Sequence, residues 1–184
     1  MAHGERNSLK RFLTIAFSLL IACLATPVLA TEVRTPGAAP NLVVQAPDGA
    51  VVSQEGGQMV IVLAPNTLPI LNMGMLLFDP AKIDLSAPDI YPVLASDVLK
   101  NIAQSAGGSV RSQNPGSRVF IAGKSGYIYR SMIENEGGGD MSVEVVLMMV
   151  DKSHIGLFAL VSVQGKESVG GLEAAMRAAT LATQ

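Results

Sequence analysis

Gly126–Gln164 reads GYIYRSMIENEGGGDMSVEVVLMMVDKSHIGLFALVSVQ, and its periodicity decides the fold. Met141, Val143, Val145, Leu147 and Met149 alternate along a strand over 141–150. Ile155, Leu157, Ala159, Val161 and Val163 do the same over 154–164. Successive strand side chains point to opposite faces, so each set forms one apolar face. Tyr127–Glu134 supplies a third strand. Gly137-Gly138-Gly139 is an open turn, and Asp151-Lys152 is a short one. Links this short join antiparallel neighbours, because a parallel connection needs a dozen residues or more. The shared apolar face then requires a covering layer.

Moving toward the C-terminus, Ser168–Thr183 predicts that cover. Leu172, Met176 and Ala179 form a helical stripe, with Ala174, Ala175, Ala178 and Ala182 favouring helix. Moving upstream, Arg118–Ala122 is a strand ending in the turn Gly123-Lys124-Ser125-Gly126. Ile90, Leu94, Val98 and Ile102 recur every four residues and predict a helix over Ile90–Ala106. Ser86 or Asp89 is placed to cap it, Pro92 fits its first turn, and Gly107-Gly108 ends it. Asp79–Asp89 is a loop. Asn72–Phe78 and Gln58–Ala64 are strands, the latter a continuous apolar run expected to be buried on both faces. Pro47-Asp48-Gly49 is a turn signal, so 42–54 reads as a hairpin. Strands, a helix, an antiparallel run and a closing helix predict an α+β fold, an antiparallel β-sheet covered by helices.

The chain has 184 residues and a formal net charge of −2; 49% is hydrophobic but only 4% aromatic, with no Trp. That apolar content excludes a disordered chain, and the mild acidity argues against a polybasic nucleic-acid binder. Residues 1–30 read as a secretory signal. Arg6, Lys10 and Arg11 precede the uncharged run Phe12–Leu24, and Val28-Leu29-Ala30 supplies a small-residue cleavage site. Removing 30 of 184 residues leaves 154 and takes the charge to −4. Two alternatives stay open. Leu20-Ile21-Ala22-Cys23 resembles a lipobox, which would anchor the protein through a lipidated Cys23. An uncut Phe12–Ala30 would be close to the ~20 residues of a membrane span. Thr31–Pro40 reads as a flexible leader, and 41–184 as a single domain.

The chemistry on offer is thin. Cys23 is the single cysteine, and the histidines are His3 and His154. After cleavage a Cys–His pair and a two-histidine metal site are both excluded. His154 opens a strand next to Ser153, whose side chain points to the other face. Nothing in the sequence directs a triad to it. Glu134, Glu136 and Asp140 surround the triple glycine, and such a loop could wrap Ca²⁺; a solvated turn is the plainer reading. Nine methionines invite a copper reading through Met73-Gly74-Met75 and Met148-Met149. Core filling is the plainer use of those side chains. Arg111 and Arg118 flank a loop that could meet an anion. Tyr127 and Tyr129 share a strand face; with Arg130 at its edge, they form the candidate interaction surface.

The order of elements resembles the PsbP/DcrB-like group of extracytoplasmic proteins over about residues 58–181. The resemblance is carried by VIVLAP at 60–65, the mid-chain helix, Gly126-Tyr127-Ile128-Tyr129-Arg130, MSVEVVLMMV, HIGLFALVSV and the closing helix. The Trp often found soon after the opening strands of that group is absent. The resemblance implies an α/β/α sandwich and an assembly or stability factor, secreted or lipid-anchored, with no catalytic residues to carry over. The expectation is a non-enzymatic periplasmic or secreted binding module, with no cofactor, no nucleic acid and an envelope protein as partner. Membrane contact is expected only through a lipidated Cys23 or a retained signal. A metal- or small-ligand-handling protein using the methionines or the acidic loop is the alternative, and a hydrolase with an unseen site is a third.

Overall fold

A computed structural model of the chain describes residues 32–64, 67–135, 139–164 and 169–183. The strands there are β1 (Glu32–Arg34), β2 (Asn41–Gln45), β3 (Val51–Glu55), β4 (Gln58–Val62), β5 (Ile70–Leu77), β6 (Gly108–Gln113), β7 (Ser117–Ile121), β8 (Lys124–Asn135), β9 (Met141–Met149), β10 (His154–Val163) and β11 (Thr180–Ala182). The helices are α1 (Ile90–Ser105) and α2 (Gly170–Arg177). Among the described residues no helix is long and apolar enough to cross a membrane. The signal reading of 1–30, with Cys23, lies outside the described residues.

The alternating stretch forms the centre of the large sheet. β8, β9 and β10 pair antiparallel in sequence order, as their short turns require. The full order is β3-β4-β5-β10-β9-β8-β6, with β7 also beside β8. β7 takes Lys124–Ile128 and β6 takes Ser131–Asn135, while β9 occupies the other side of β8. β6 and β7 therefore lie end to end along one edge.

The pleat divides the core in two. Ile155, Leu157, Ala159 and Val161 of β10 pack with Val143, Val145 and Leu147 of β9 against α1. Helix α1 turns Leu94, Ala95, Val98, Leu99 and Ile102 toward them, as its four-residue spacing predicts. Asp89 occupies the cap position without a side-chain bond, and the Ser86 hydroxyl is turned to Asp84 instead. The C-terminus closes as expected: Ala106 N–H donates to Ile102 O, and Gly107 has φ +69°, a left-handed value suited to glycine.

On the other face, Phe158, Leu160, Val146, Met148, Leu71 and Met73 pack beneath β2 and α2. Here the sequence expectations need correction. Glu32–Arg34 is not an open leader but an edge strand paired to β2, with Val33 only 3% exposed. Thr35 closes the β1–β2 link: its N–H donates to Leu42 O, and its hydroxyl accepts from Leu42 N–H. The 42–54 hairpin does not form. β2 pairs with β1 and β11 in a separate three-stranded sheet, while β3 pairs with β4. The two-residue turn Gly56-Gly57, with φ of 52° and 85°, gives β3–β4 the left-handed pair that a tight hairpin favours. β4, expected to be buried on both faces, is so at its centre, Val60 on one face and Ile61 on the other, while Gln58, Met59 and Val62 stay partly exposed. The helix expected over 168–183 is shorter: α2 stops at Arg177, and Thr180–Ala182 pairs with β2. Among the described residues the fold is thus mostly antiparallel sheet with two helices, and one face is covered jointly by strands and a helix.

Candidate interaction surface

Tyr127 and Tyr129 do share a face, but it is the face that α1 covers. Tyr129 is 3% exposed and belongs to the α1-side core. Tyr127 is half-buried against the same core, its ring centroid 5.0 Å from that of Tyr91, with the planes tilted by 43°. Tyr91 is fixed in turn by its hydroxyl, which donates to Leu85 O at 3.0 Å. The three tyrosines of the chain are therefore one cluster between α1 and β8. Burial pushes the Tyr91 and Tyr129 phenols above their ordinary value, and the neighbouring tyrosines add to the rise.

Arg130 does not join them. Period-two geometry sends it to the opposite face, where its Nε donates to Glu144 Oε1 at 2.6 Å across the β8–β9 register. Glu144 Oε2 is buried and has no hydrogen-bond partner. The surface expected from Tyr127, Tyr129 and Arg130 is thus split between two faces; Tyr129 is core and Tyr127 is half-buried against it.

His154 Nδ1 lies 2.9 Å from both Asp151 oxygens. Asp151 Oδ1 also accepts from the backbone N–H groups of Ser153 and His154, so this carboxylate holds the β9–β10 turn. Partial burial pushes the Asp151 carboxyl upward. The Ser153 N–H, the His154 ring and its charge, and the His154 N–H outweigh that and hold it below the ordinary carboxylate range. Met73 and Met148 are fully buried, Met75 packs beside them, and Met149 lies on the α1 side. Asp140 accepts from Arg111 at 3.3 Å and Glu134 is exposed, while Glu136 lies outside the described residues. Among the described residues no cluster of three or more His, Cys, Asp or Glu could hold a metal. Arg111 stands on β6 and Arg118 on β7, so of the segment they flank only residues 114–116 lie outside the strands.

One surface feature escapes the sequence reading. Phe120, on the edge strand β7, is 71% exposed. Its signal is the local alternation: Val119 and Ile121 pack on the β2-side core, so Phe120 between them must face the other way.

No family model matches the chain, and no curated protein matches it. Its fold is similar to solved structures at low identity. A Bacteroides thetaiotaomicron crystal structure superposes with a TM-score of 0.55 at 12% identity, over 85% of this chain and 49% of the other. The chain thus spans about half the length of that protein. Cyanobacterial PsbP (CyanoP) from Synechocystis sp. PCC 6803 superposes with a TM-score of 0.53 at 12% identity, over 89% of this chain and 99% of the other.

Proposed function

We propose that this protein, whose fold is PsbP-like, is a non-enzymatic, extracytoplasmic binding or assembly module. The observation that carries the reading is the match to cyanobacterial PsbP, which extends over 99% of that chain. It agrees with the resemblance read from the sequence, whose group is secreted or lipid-anchored and serves assembly. The layering fits an α/β/α sandwich in which the three-stranded sheet shares a layer with α2. Fold alone does not assign function, so the groups themselves matter. The sole histidine of the described residues is tied to Asp151 in a turn, and the tyrosines are packed under α1. These groups serve the fold, which leaves surface recognition as the activity they best support.

The test is native mass spectrometry of the protein taken from its own envelope. A chain beginning at Thr31, with a protein partner retained, is the expected result. Lipid mass on Cys23 would move the protein to the anchored class. A retained metal ion or small molecule, with no protein partner, would overturn the module reading in favour of ligand handling.

A further inference from the structure

Among the described residues, β7 pairs with β8 alone. Its outer edge is chemically open. Ala122 and Gly123 have φ of 53° and 73° and join Ile121 to Lys124 in a two-residue turn. Such a turn makes its flanking residues a hydrogen-bonded pair, and the pairs alternate along the ladder. Ser117, Val119 and Ile121 therefore direct their backbone groups to β8. Arg118 and Phe120 direct theirs outward, and neither makes a backbone bond elsewhere among the described residues.

Proteins blunt such edges with charge, proline or bulges. β6 follows the rule, with a bulge between Val110 and Ser112 and with Pro115 after it. β7 has neither bulge nor proline, and beside Arg118 it exposes Phe120. The charge is one-sided as well. From Gly108 to Lys124 the edge segment holds Arg111, Arg118 and Lys124 and no acid, in a chain of net charge −2. Arg111 is engaged by Asp140, whereas Arg118 and Lys124 form no ion pair among the described residues. Two copies joined through β7 would bring like charges to one seam, so the edge favours an acidic occupant over a second copy.

We propose that the open edge of β7 accepts an extended acidic segment of a partner protein as an added strand. The backbone of Arg118 and Phe120 supplies the hydrogen bonds, Phe120 packs on an apolar side chain, and Arg118, two residues away on the same face, selects acid. This is strand addition, in which the main chain gives affinity and alternate side chains give specificity. It rests on the binding-module reading and names the partner's chemistry.

The test uses the full protein with a capped heptapeptide Val-Thr-Glu-Thr-Val-Thr-Glu, which puts valine and glutamate on one strand face as Phe120 and Arg118 are, and a second with lysine in place of each glutamate. Residue-resolved hydrogen exchange is the readout. With the glutamate peptide, exchange at the Arg118 and Phe120 amides slows by about tenfold or more, while Val119 and Ile121 are unchanged. Phe120→Lys removes the effect, and Arg118→Glu reverses the preference toward the lysine peptide. No slowing at these two amides, or equal binding of both peptides, overturns the proposal. Slowing without peptide as protein concentration rises also overturns it, by making a second copy the occupant. A native partner retained equally by wild type and Phe120→Lys would reject the β7 site and leave the module reading standing. Loss of that partner from Phe120→Lys alone supports the site.

Discussion

The ring of Tyr129 lies directly against Gly116: a Cβ on this glycine would fall 2.5 Å from the ring's Cε1 and 2.6 Å from its Cζ. The glycine is what lets the segment between β6 and β7 cross the buried ring, so the constraint is one of space. Gly116→Ala should destabilise the protein by about 1–3 kcal/mol, the range for overpacking a filled core. Urea unfolding measures it. In a Tyr129→Leu background the same alanine should cost less, because the ring edge is gone. An equal cost in both backgrounds would place the effect in the backbone instead.

Arg130 and Glu144 make the second prediction. Glu144 Oε1 is paired, but Oε2 is buried without a partner, and Leu160 stands beside it on the next strand. Arg130→Ala should cost about 1–3 kcal/mol by leaving both oxygens unpaired. Glu144→Leu should stay within about 1 kcal/mol of wild type, since it removes the orphan acceptor and adds apolar contact. Thermal unfolding of the two variants, compared side by side, decides this. A larger loss for Glu144→Leu would mean that the carboxylate itself stabilises the sheet.

What the sequence reveals and what it hides follows from how each element is stabilised. β8, β9 and β10 are readable because alternation runs through them uninterrupted, and α1 because its apolar residues keep a helical period. β6 is GSVRSQ, too polar and small to declare a strand; its place comes from pairing with the far half of β8. β11 sits in an alanine-rich run whose local preference is helical, and pairing with β2 overrides that preference. β3 had two plausible partners, each behind a glycine turn, and nothing local chooses between them. The separation of Arg130 from Tyr127 and Tyr129 follows from period two alone. That α1 would cover the tyrosines does not, because it depends on which face the helix takes.

The turn held by Asp151 gives a pH prediction. Its carboxyl is depressed in the folded state, so the unfolded chain binds its proton first. The stabilisation is therefore complete above the unfolded value, near pH 3.9, and is lost as pH falls through the lower folded value. The carboxyl is partly solvated, so the effect should be under about 1 kcal/mol. Asp151→Asn should flatten the stability profile below about pH 4 and lower stability slightly at neutral pH. Urea midpoints measured from pH 2 to 7 test this. Parallel profiles for wild type and variant would show that Asp151 has the same proton affinity in both states.

Gly156 decides how the three-stranded sheet docks. A Cβ there would meet Met148 Cγ at 3.1 Å and the two Leu42 methyls at 3.3 and 3.4 Å. Leu42 is fully buried and is paired with Leu181 of β11, so any displacement of Leu42 is passed to the whole small sheet. Met148 is flexible and can yield by a few tenths of an ångström; Leu42, at the centre of β2, has less freedom. Gly156→Ala should therefore cost about 1–2 kcal/mol, at the lower end for an inserted methyl. The loss should be local. Amides of β1, β2 and β11 should exchange faster, while those of β8 and β9 keep their protection. Leu42→Ala alone should cost about 2–5 kcal/mol by opening a cavity. Combined with Gly156→Ala it should cost less than the sum, because the new methyl occupies part of the vacated space. Strict additivity would mean that the two residues do not share that space, and that β2 is held to the sheet by other contacts.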